Sequence, residues 1–470
     1  MMGWLAALVE LLGLLAAVKA VMEARTAQGA AAWAVALVAF PLVALPLFLV
    51  FGQSRVRDDV QARRRLLAAS PSRTSRAHAA MARRELVAHT RYTEDLPFER
   101  LAKLPFTDGN RATLLIDGEA TFGSIFAGIE TAAQYVLVQY YILRDDGVGR
   151  ALAARLLERA AAGVRVHLLI DELGSIGLPR AYLDRLRAGG VAVQAIHALG
   201  PGVNRLRLNF RNHRKVVVVD GVRAWVGGLN VGDEYLGRDP RLGRWRDTHL
   251  RVEGPVVQCV QAAFVEDWLW AGGRVPPLRW WPGRAPAGGY PVLCLPSGPA
   301  DELETCTLFF IAAIHHARRR LWIASPYFVP DEQFVTALQL AALRGVDVRV
   351  LIPQRSDNAL VNLSAWSYVE ALEHAGVAMY RYEGGFMHQK VTLIDDDWCT
   401  VGTANFDNRS FRLNFEITMA VIDRALAQQV RTMLDHDFAQ SSRMHAADLQ
   451  ARSFAFRFAV RVARLSAPVQ

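Results

Sequence analysis

Two histidines, His213 and His388, each stand two residues before a lysine and seven before an aspartate. The first phrase runs His213, Lys215, Asp220 and continues to Gly227, Gly228 and Asn230; the second runs His388, Lys390, Asp395 and continues to Gly402, Thr403 and Asn405. Every spacing is the same in both, and the histidines are 175 positions apart, from 213 to 388. An imidazole can attack phosphorus or move a proton, a lysine can neutralise a non-bridging oxygen, and an asparagine can donate an amide hydrogen bond. Exchange at a phosphodiester needs two imidazoles and several such donors around one phosphate, and no metal or cofactor. One phrase alone is weak evidence, whereas two with matched glycine–asparagine tails supply both halves of a site.

Those residues need strands to position them. A histidine and a lysine two apart on a strand share a face. Asp220 and Asp395, five residues beyond the lysines, fall on the other face at the strand end, so a turn-forming role competes there with a catalytic one. Short runs rich in Val, Ile and Tyr at 135–141, 164–170, 191–196 and 215–219 read as buried strands, with helical periodicity at 150–162 and 179–188 between them. The order repeats at 321–324, 346–352, 377–382 and 390–394, with helices at 332–343 and 359–375. Alternation of strand and helix predicts an α/β fold of two duplicated sandwich domains with mainly parallel sheets. Their expected limits are 106–285 and 286–470, after a two-helix hairpin at 1–54 and a basic, membrane-proximal linker at 55–105.

The hairpin is the reading of two apolar runs. Gly3 to Met22 is broken only by Glu10 and Lys19, and Ala30 to Phe51 carries no charge. Each is long enough as a helix to cross about 30 Å of hydrocarbon. Arg55, Arg57, Arg63, Arg64 and Arg65 after the second run outnumber Lys19 and Arg25 near the connection, which predicts that the rest of the chain faces the cytoplasm. Lys and Arg total 54 against 45 Asp and Glu, a net charge of +9 that suits anionic partners. The four cysteines are scattered without metal-ligand spacing, and His315 and His316 read as a solvated helix face. For a basic run, Arg205, Arg207, Arg211 and Arg214, a grip on a second anionic headgroup competes with a solvated or fold-stabilising role. Near the end, Phe454, Phe458, Val462 and Leu465 form one helical stripe, expected to pack on its own domain, with contact to the membrane as the alternative.

The paired phrases resemble the phospholipase D superfamily, whose members work through a phosphohistidine. That resemblance implies a carboxylate orienting each imidazole, Glu416 for His388 and Asp247 for His213, and a hydroxyl at Thr403 with no equivalent at Gly228. It also implies phosphate contacts from Lys215, Lys390, Asn230, Asn405 and Thr403. Within the superfamily, segments such as Arg211-Asn-His213, Pro326-Tyr-Phe-Val-Pro330 and Asn405-Phe-Asp-Asn-Arg409 look like the two-span bacterial cardiolipin synthases. An enzyme of that family would join two phosphatidylglycerol molecules at the bacterial inner membrane, with membrane phospholipids and not nucleic acid as partners. His213 would be the nucleophile and His388 the general acid and base, although the residues themselves leave those roles interchangeable. A membrane-bound hydrolase or another phosphatidyltransferase of the superfamily is the competing expectation.

Overall fold

A computed structural model describes residues 2–23, 27–51, 61–65, 79, 81–89, 96–196, 211–281, 283–286 and 289–467. They form two compact units, one of residues up to 65 and one holding the remainder.

In the first unit, helix Met2–Glu23 packs on helices Ala27–Ala39 and Pro41–Phe51. Gly13 makes the approach possible, since a Cβ there would lie 2.6 Å from the Leu37 carbonyl oxygen. Ala17, Ala20, Leu37, Ala44 and Phe48 are buried between the helices, and Trp33 meets Phe48 edge-on. Leu15, Val18, Val35, Phe40 and Leu42 face outward. The expected span over 30–51 is two helices rather than one. Pro41 has no N–H to continue the ladder, and Phe40 is not helical. Among the described residues, no helix is long and apolar enough to cross a membrane.

The second unit is built on one large sheet and two separate two-stranded ones. Its first half contributes β1 (Thr107–Ile116), β2 (Tyr135–Tyr140), β3 (Arg165–Asp171), β4 (Ala192–Ile196), β5 (Arg211–Asn212), β6 (Val216–Val219), β7 (Arg223–Gly227), β8 (Trp245–Arg246) and β9 (Thr248–Glu253). The second half contributes β10 (Tyr290–Ser297), β11 (Arg320–Ala324), β12 (Phe328–Val329), β13 (Asp347–Pro353), β14 (Ala378–Tyr382) and β15 (Phe386–Met387). Next come β16 (Val391–Ile394), β17 (Trp398–Gly402), β18 (Phe406–Asp407), β19 (Asn414–Ile422) and β20 (Ser441–Met444). The order across the sheet is β20-β14-β13-β11-β16-β17-β19-β10-β1-β9-β7-β6-β2-β3-β4, so the halves join edge to edge at the antiparallel pair β1–β10. Strands such as β2 and β6 are buried on both faces, which is why they read as unbroken apolar runs.

The sheet is mixed, not mainly parallel. Along that order only β2–β3–β4 and β11–β13–β14 pair in parallel; every other neighbour is antiparallel. Helical crossovers mark the parallel pairs in the sequence, whereas β6–β7 and β16–β17 are hairpins with tight turns that carry no such signal. Asp220 and Asp395 are the first turn residues, both left-handed, at φ 53° and 52°. Asp220 accepts amide hydrogens from Ala133, Gln134 and Tyr135, and Asp395 accepts those of Arg318, Arg319 and Arg320. Each aspartate thus fixes the start of the neighbouring strand.

Two other boundaries differ from expectation. Met81, Leu86, Phe98 and Leu104, read as linker, are core residues. At the other end, helix Phe454–Leu465 docks through Val460 and Ala463, with Phe456 against Trp366, while Phe454, Phe458, Val462 and Leu465 remain exposed. The stripe noted in the sequence is the outer face, because a second apolar face on the same helix fills the groove.

Candidate active site

His213 lies between β5 and β6, and His388 between β15 and β16, directly after strands of only two residues. Those short strands decide the site. β5 pairs in parallel with the start of β19, Arg211 opposite Asn414 and Asn212 opposite Phe415, and the His213 amide donates to the Phe415 carbonyl at 2.9 Å. In the same way β15 pairs with β8, and the His388 amide donates to the Arg246 carbonyl at 2.7 Å. Each histidine is therefore delivered beside the residue that follows the paired two-residue segment. For His213 that residue is Glu416, and for His388 it is Asp247.

The orienting carboxylates are crossed relative to the sequence expectation. His213 Nδ1 is 3.0 Å from Glu416 Oε2, and His388 Nδ1 is 2.8 Å from Asp247 Oδ2. Each imidazole takes its partner from the other half of the duplication. A carboxylate accepting from Nδ1–H leaves Nε2 as the basic nitrogen, free for chemistry.

The carboxylates are themselves held. Thr403 Oγ1 donates to Glu416 Oε2 at 2.5 Å and Asn414 Nδ2 donates to Oε1 at 3.1 Å. The Thr403 hydroxyl thus positions Glu416 rather than standing ready for phosphate. On the other side, the backbone amide of Thr248 and the indole N–H of Trp245 donate to Asp247. Gly228 occupies the position equivalent to Thr403, and a Cβ there would collide with the Asp247 carboxylate. The shorter acid needs a glycine where the longer one takes a hydroxyl.

Burial sets the charge states. It pulls the His213 imidazole down to about 4, with Glu416 opposing and Lys215 adding to the fall. It lowers His388 too, reinforced by Lys390, whose Nζ is 3.0 and 3.1 Å from the two ring nitrogens. Burial drives Lys215 well below its ordinary value and Lys390 to about 8, against the pull of Asp247 and Glu416 on both. Burial works against ionisation of the acids as well. Even so, His388 and Lys390 hold Asp247 below its usual value, and His213 and Lys215 do the same for Glu416. The outcome is a largely buried cluster of two imidazoles, two carboxylates and two lysines.

The asparagines are tethered. Asn230 accepts from the Ile142 amide and donates to the Tyr235 hydroxyl, and Asn405 donates to Asp407. An amide nitrogen carries two hydrogens, so each keeps one for a ligand. Asp220 and Asp395, at the far strand ends, are roughly 17 Å of extended chain from the lysines and do not reach the imidazoles.

Several contributors were not read from the sequence. Arg214 and Gln389, between the histidine and lysine of each phrase, reach equivalent aspartates on long helices. Arg214 Nη1 is 3.0 Å from Asp267 and Gln389 Nε2 is 2.7 Å from Asp437. Arg246 grips Asp437 with two bonds of 2.8 and 2.9 Å and Asp117 with one of 3.0 Å, tying the first half to the second. Trp245 packs on His388 together with Phe386 and Tyr235, and Tyr141 packs edge-on against His213. Strand alternation could have flagged Arg214 and Gln389, because they must point away from the imidazoles. Of the basic run, Arg205 and Arg207 lie outside the described residues, Arg214 is part of the buried clamp, and the Arg211 charge acts on Tyr141.

Arg246 and Asp437 are both buried, so removing one partner strands the other. Asp437→Ala is expected to lower unfolding free energy by about 3–5 kcal/mol, read by denaturant titration. Arg246→Met with Asp437→Leu should cost much less than Asp437→Ala alone. A double variant as damaged as the single one would mean that the pair is not an isolated ionic clamp.

Residues 125–268 and 310–438 match the family profile described as cardiolipin synthase, PLD-like domain. The chain belongs to that family, and the two matched segments end one residue beyond Asp267 and Asp437. Among relatives, cardiolipin synthase A of Pseudomonas entomophila (strain L48) is 47% identical over 477 residues, covering 99% of this chain and 98% of the relative. Cardiolipin synthase A of Pseudomonas putida is equally similar at 47%, and that of Pseudomonas fluorescens is 45% identical, each over 99% of this chain and 98% of its own length. Among solved structures, phosphatidylserine synthase of Haemophilus influenzae Rd KW20 shares the fold, with a TM-score of 0.62 at 14% identity over 79% of this chain and 98% of that one.

Proposed function

We propose that this chain is a cardiolipin synthase, transferring a phosphatidyl group from one phosphatidylglycerol to a glycerol hydroxyl of a second and releasing glycerol. The observation that carries this reading is the shared site of two imidazoles on crossed carboxylates, in a chain similar to cardiolipin synthases over nearly its whole length. His213 Nε2 attacks the phosphorus of the donor while His388, protonated on both ring nitrogens and paired with Asp247, gives its Nε2 proton to the departing glycerol oxygen. The resulting phosphatidyl-histidine is attacked by a hydroxyl of the second phosphatidylglycerol, whose proton passes to His388 as His213 is released. One phosphodiester replaces another, so no nucleotide is consumed. Lys215 and Lys390, with the free amide hydrogens of Asn230 and Asn405, take the charge on the non-bridging oxygens.

Arg211 and Arg409 both act on Tyr141, which packs on His213. Burial and the Arg211 charge lower Arg409 to about 10. A second phosphodiester beside His213 would relieve that repulsion, and the acceptor lipid carries one. The halves 106–285 and 286–470 act as duplicated phospholipase D-like domains. The helices before residue 54, with Leu15, Val18, Phe40 and Leu42 outward, anchor the enzyme in the bacterial inner membrane, with the catalytic unit on the cytoplasmic side.

The direct test is incubation of the purified full-length protein with phosphatidylglycerol vesicles, followed by lipid mass spectrometry. Cardiolipin and glycerol in equal amounts are expected; phosphatidic acid as the main product would make the enzyme a hydrolase. The pH dependence adds a second check. Above about 8 Lys390 loses its proton and a phosphate-neutralising charge goes with it. Hence kcat/KM should fall on the alkaline side near that value, and Lys390→Arg should move the fall upward. An alkaline limb unmoved in that variant would assign the titration to another group.

A further inference from the structure

The geometry points to the C-terminal helix Phe454–Leu465 as a second contact with the bilayer, an apolar face edged with arginine that docks on an anionic lipid surface. This helix has two apolar faces. The inner one, Phe456, Val460 and Ala463, is occupied by its own domain. The outer one carries Phe454, Phe458, Val462 and Leu465, which are 75%, 60%, 46% and 81% exposed. Their spacing of four, four and three residues puts them in one stripe, and the rings of Phe454 and Phe458 stack with centroids 6.2 Å apart. Single exposed apolar residues are ordinary, but a continuous aromatic and aliphatic stripe on an otherwise anchored helix is a contact surface.

Charge selects the occupant. The helix holds Arg457, Arg461 and Arg464 and no acid, and Arg461 remains 62% exposed although Glu370 is 3.9 Å away. An apolar stripe edged by arginine fits acyl chains below and phosphate headgroups beside it, the arrangement of an interfacial helix. A protein partner would have to bring both an apolar groove and acidic rims; a bilayer of anionic phospholipid offers both everywhere. The inference rests on the phospholipid reading only for its choice of surface, and its test does not require turnover.

All four native cysteines, Cys259, Cys294, Cys306 and Cys399, are buried, so a single added surface cysteine can be labelled selectively. Spin labels would be placed one at a time at Phe454→Cys, Arg457→Cys, Phe458→Cys, Val462→Cys and Arg464→Cys of the full-length protein in phosphatidylglycerol-containing vesicles. Collisional accessibility to oxygen and to a water-soluble nickel chelate then reports depth. Labels at 454, 458 and 462 should favour oxygen several-fold, those at 457 and 464 should favour nickel, and the difference should shrink in phosphatidylcholine vesicles. Equal nickel accessibility at every position would overturn the proposal. Dipolar broadening at 458 that persists without lipid would overturn it in favour of a second copy of the chain on this face. A companion variant, Phe454→Glu with Phe458→Glu, should lose activity on vesicles several-fold while retaining it on short-chain phosphatidylglycerol in detergent. Loss on both substrates would mark the face as structural. Failure to form any cardiolipin, with the depth pattern intact, would instead count against the functional reading alone.

Discussion

Alanine at His213 and alanine at His388 should each lower cardiolipin formation by roughly 10³-fold or more, the scale of losing a positioned proton-transfer group or a nucleophile. The two losses should not multiply. Residues that act as one unit fail together, so the double variant is expected to be about as inactive as either single one. Turnover of phosphatidylglycerol measured by lipid mass spectrometry gives all three rates, with circular dichroism to confirm folding. The expectation comes from the charge cluster, in which Lys215 and Lys390 each act on both Glu416 and Asp247. Two independent half-sites would instead leave one single variant near full activity, and that result would remove the shared-pocket mechanism.

The second large effect follows from the crossing of the carboxylates. Glu416→Gln and Asp247→Asn keep the shape of each side chain but remove the charge that fixes the imidazole tautomer, and each should cost about 10²–10⁴-fold in kcat. The crossing makes the two variants distinguishable by nuclear magnetic resonance of the histidine rings. Glu416 favours the protonated form of His213, so Glu416→Gln should lower the His213 pKa further and leave His388 in place. Asp247→Asn should do the reverse, because Asp247 supports the charge on His388. If Glu416→Gln moved His388 instead, the pairing within each half would be restored and the geometry of the short strands would be wrong.

The chemistry of the site was more legible than its wiring. His213, Lys215, His388 and Lys390 declare themselves by matched spacing, and Glu416 and Asp247 by family resemblance. Which acid serves which base is fixed by β5 on β19 and β15 on β8, strands whose two-residue members have no periodicity to read. The same limit hid the antiparallel centre of the sheet. Buried parallel strands such as β2 and β3 are long apolar runs separated by helices. By contrast, β7 and β9 follow their neighbours through short turns or loops and carry polar residues such as Arg223, Thr248 and Arg251. Phe40 gave no composition signal either, since a proline beside it is compatible with a continuous membrane helix or with a break. The outer stripe at 454–465 was visible as a pattern, but only the packing of Phe456 on Trp366 tells which of the two faces is taken.

Crossed pairing also has a consequence for how the enzyme comes into being. A chain made from its N-terminus gains His213 early, yet the carboxylate that orients it is 203 residues further on, at 416. Until β19 is made and laid beside β5, the first imidazole has no carboxylate to fix its tautomer, whereas His388 finds Asp247 already made. A chain that stops short of β19 therefore lacks the acid that orients His213. The pair of oriented imidazoles is complete only once β19, which carries Glu416, is in place.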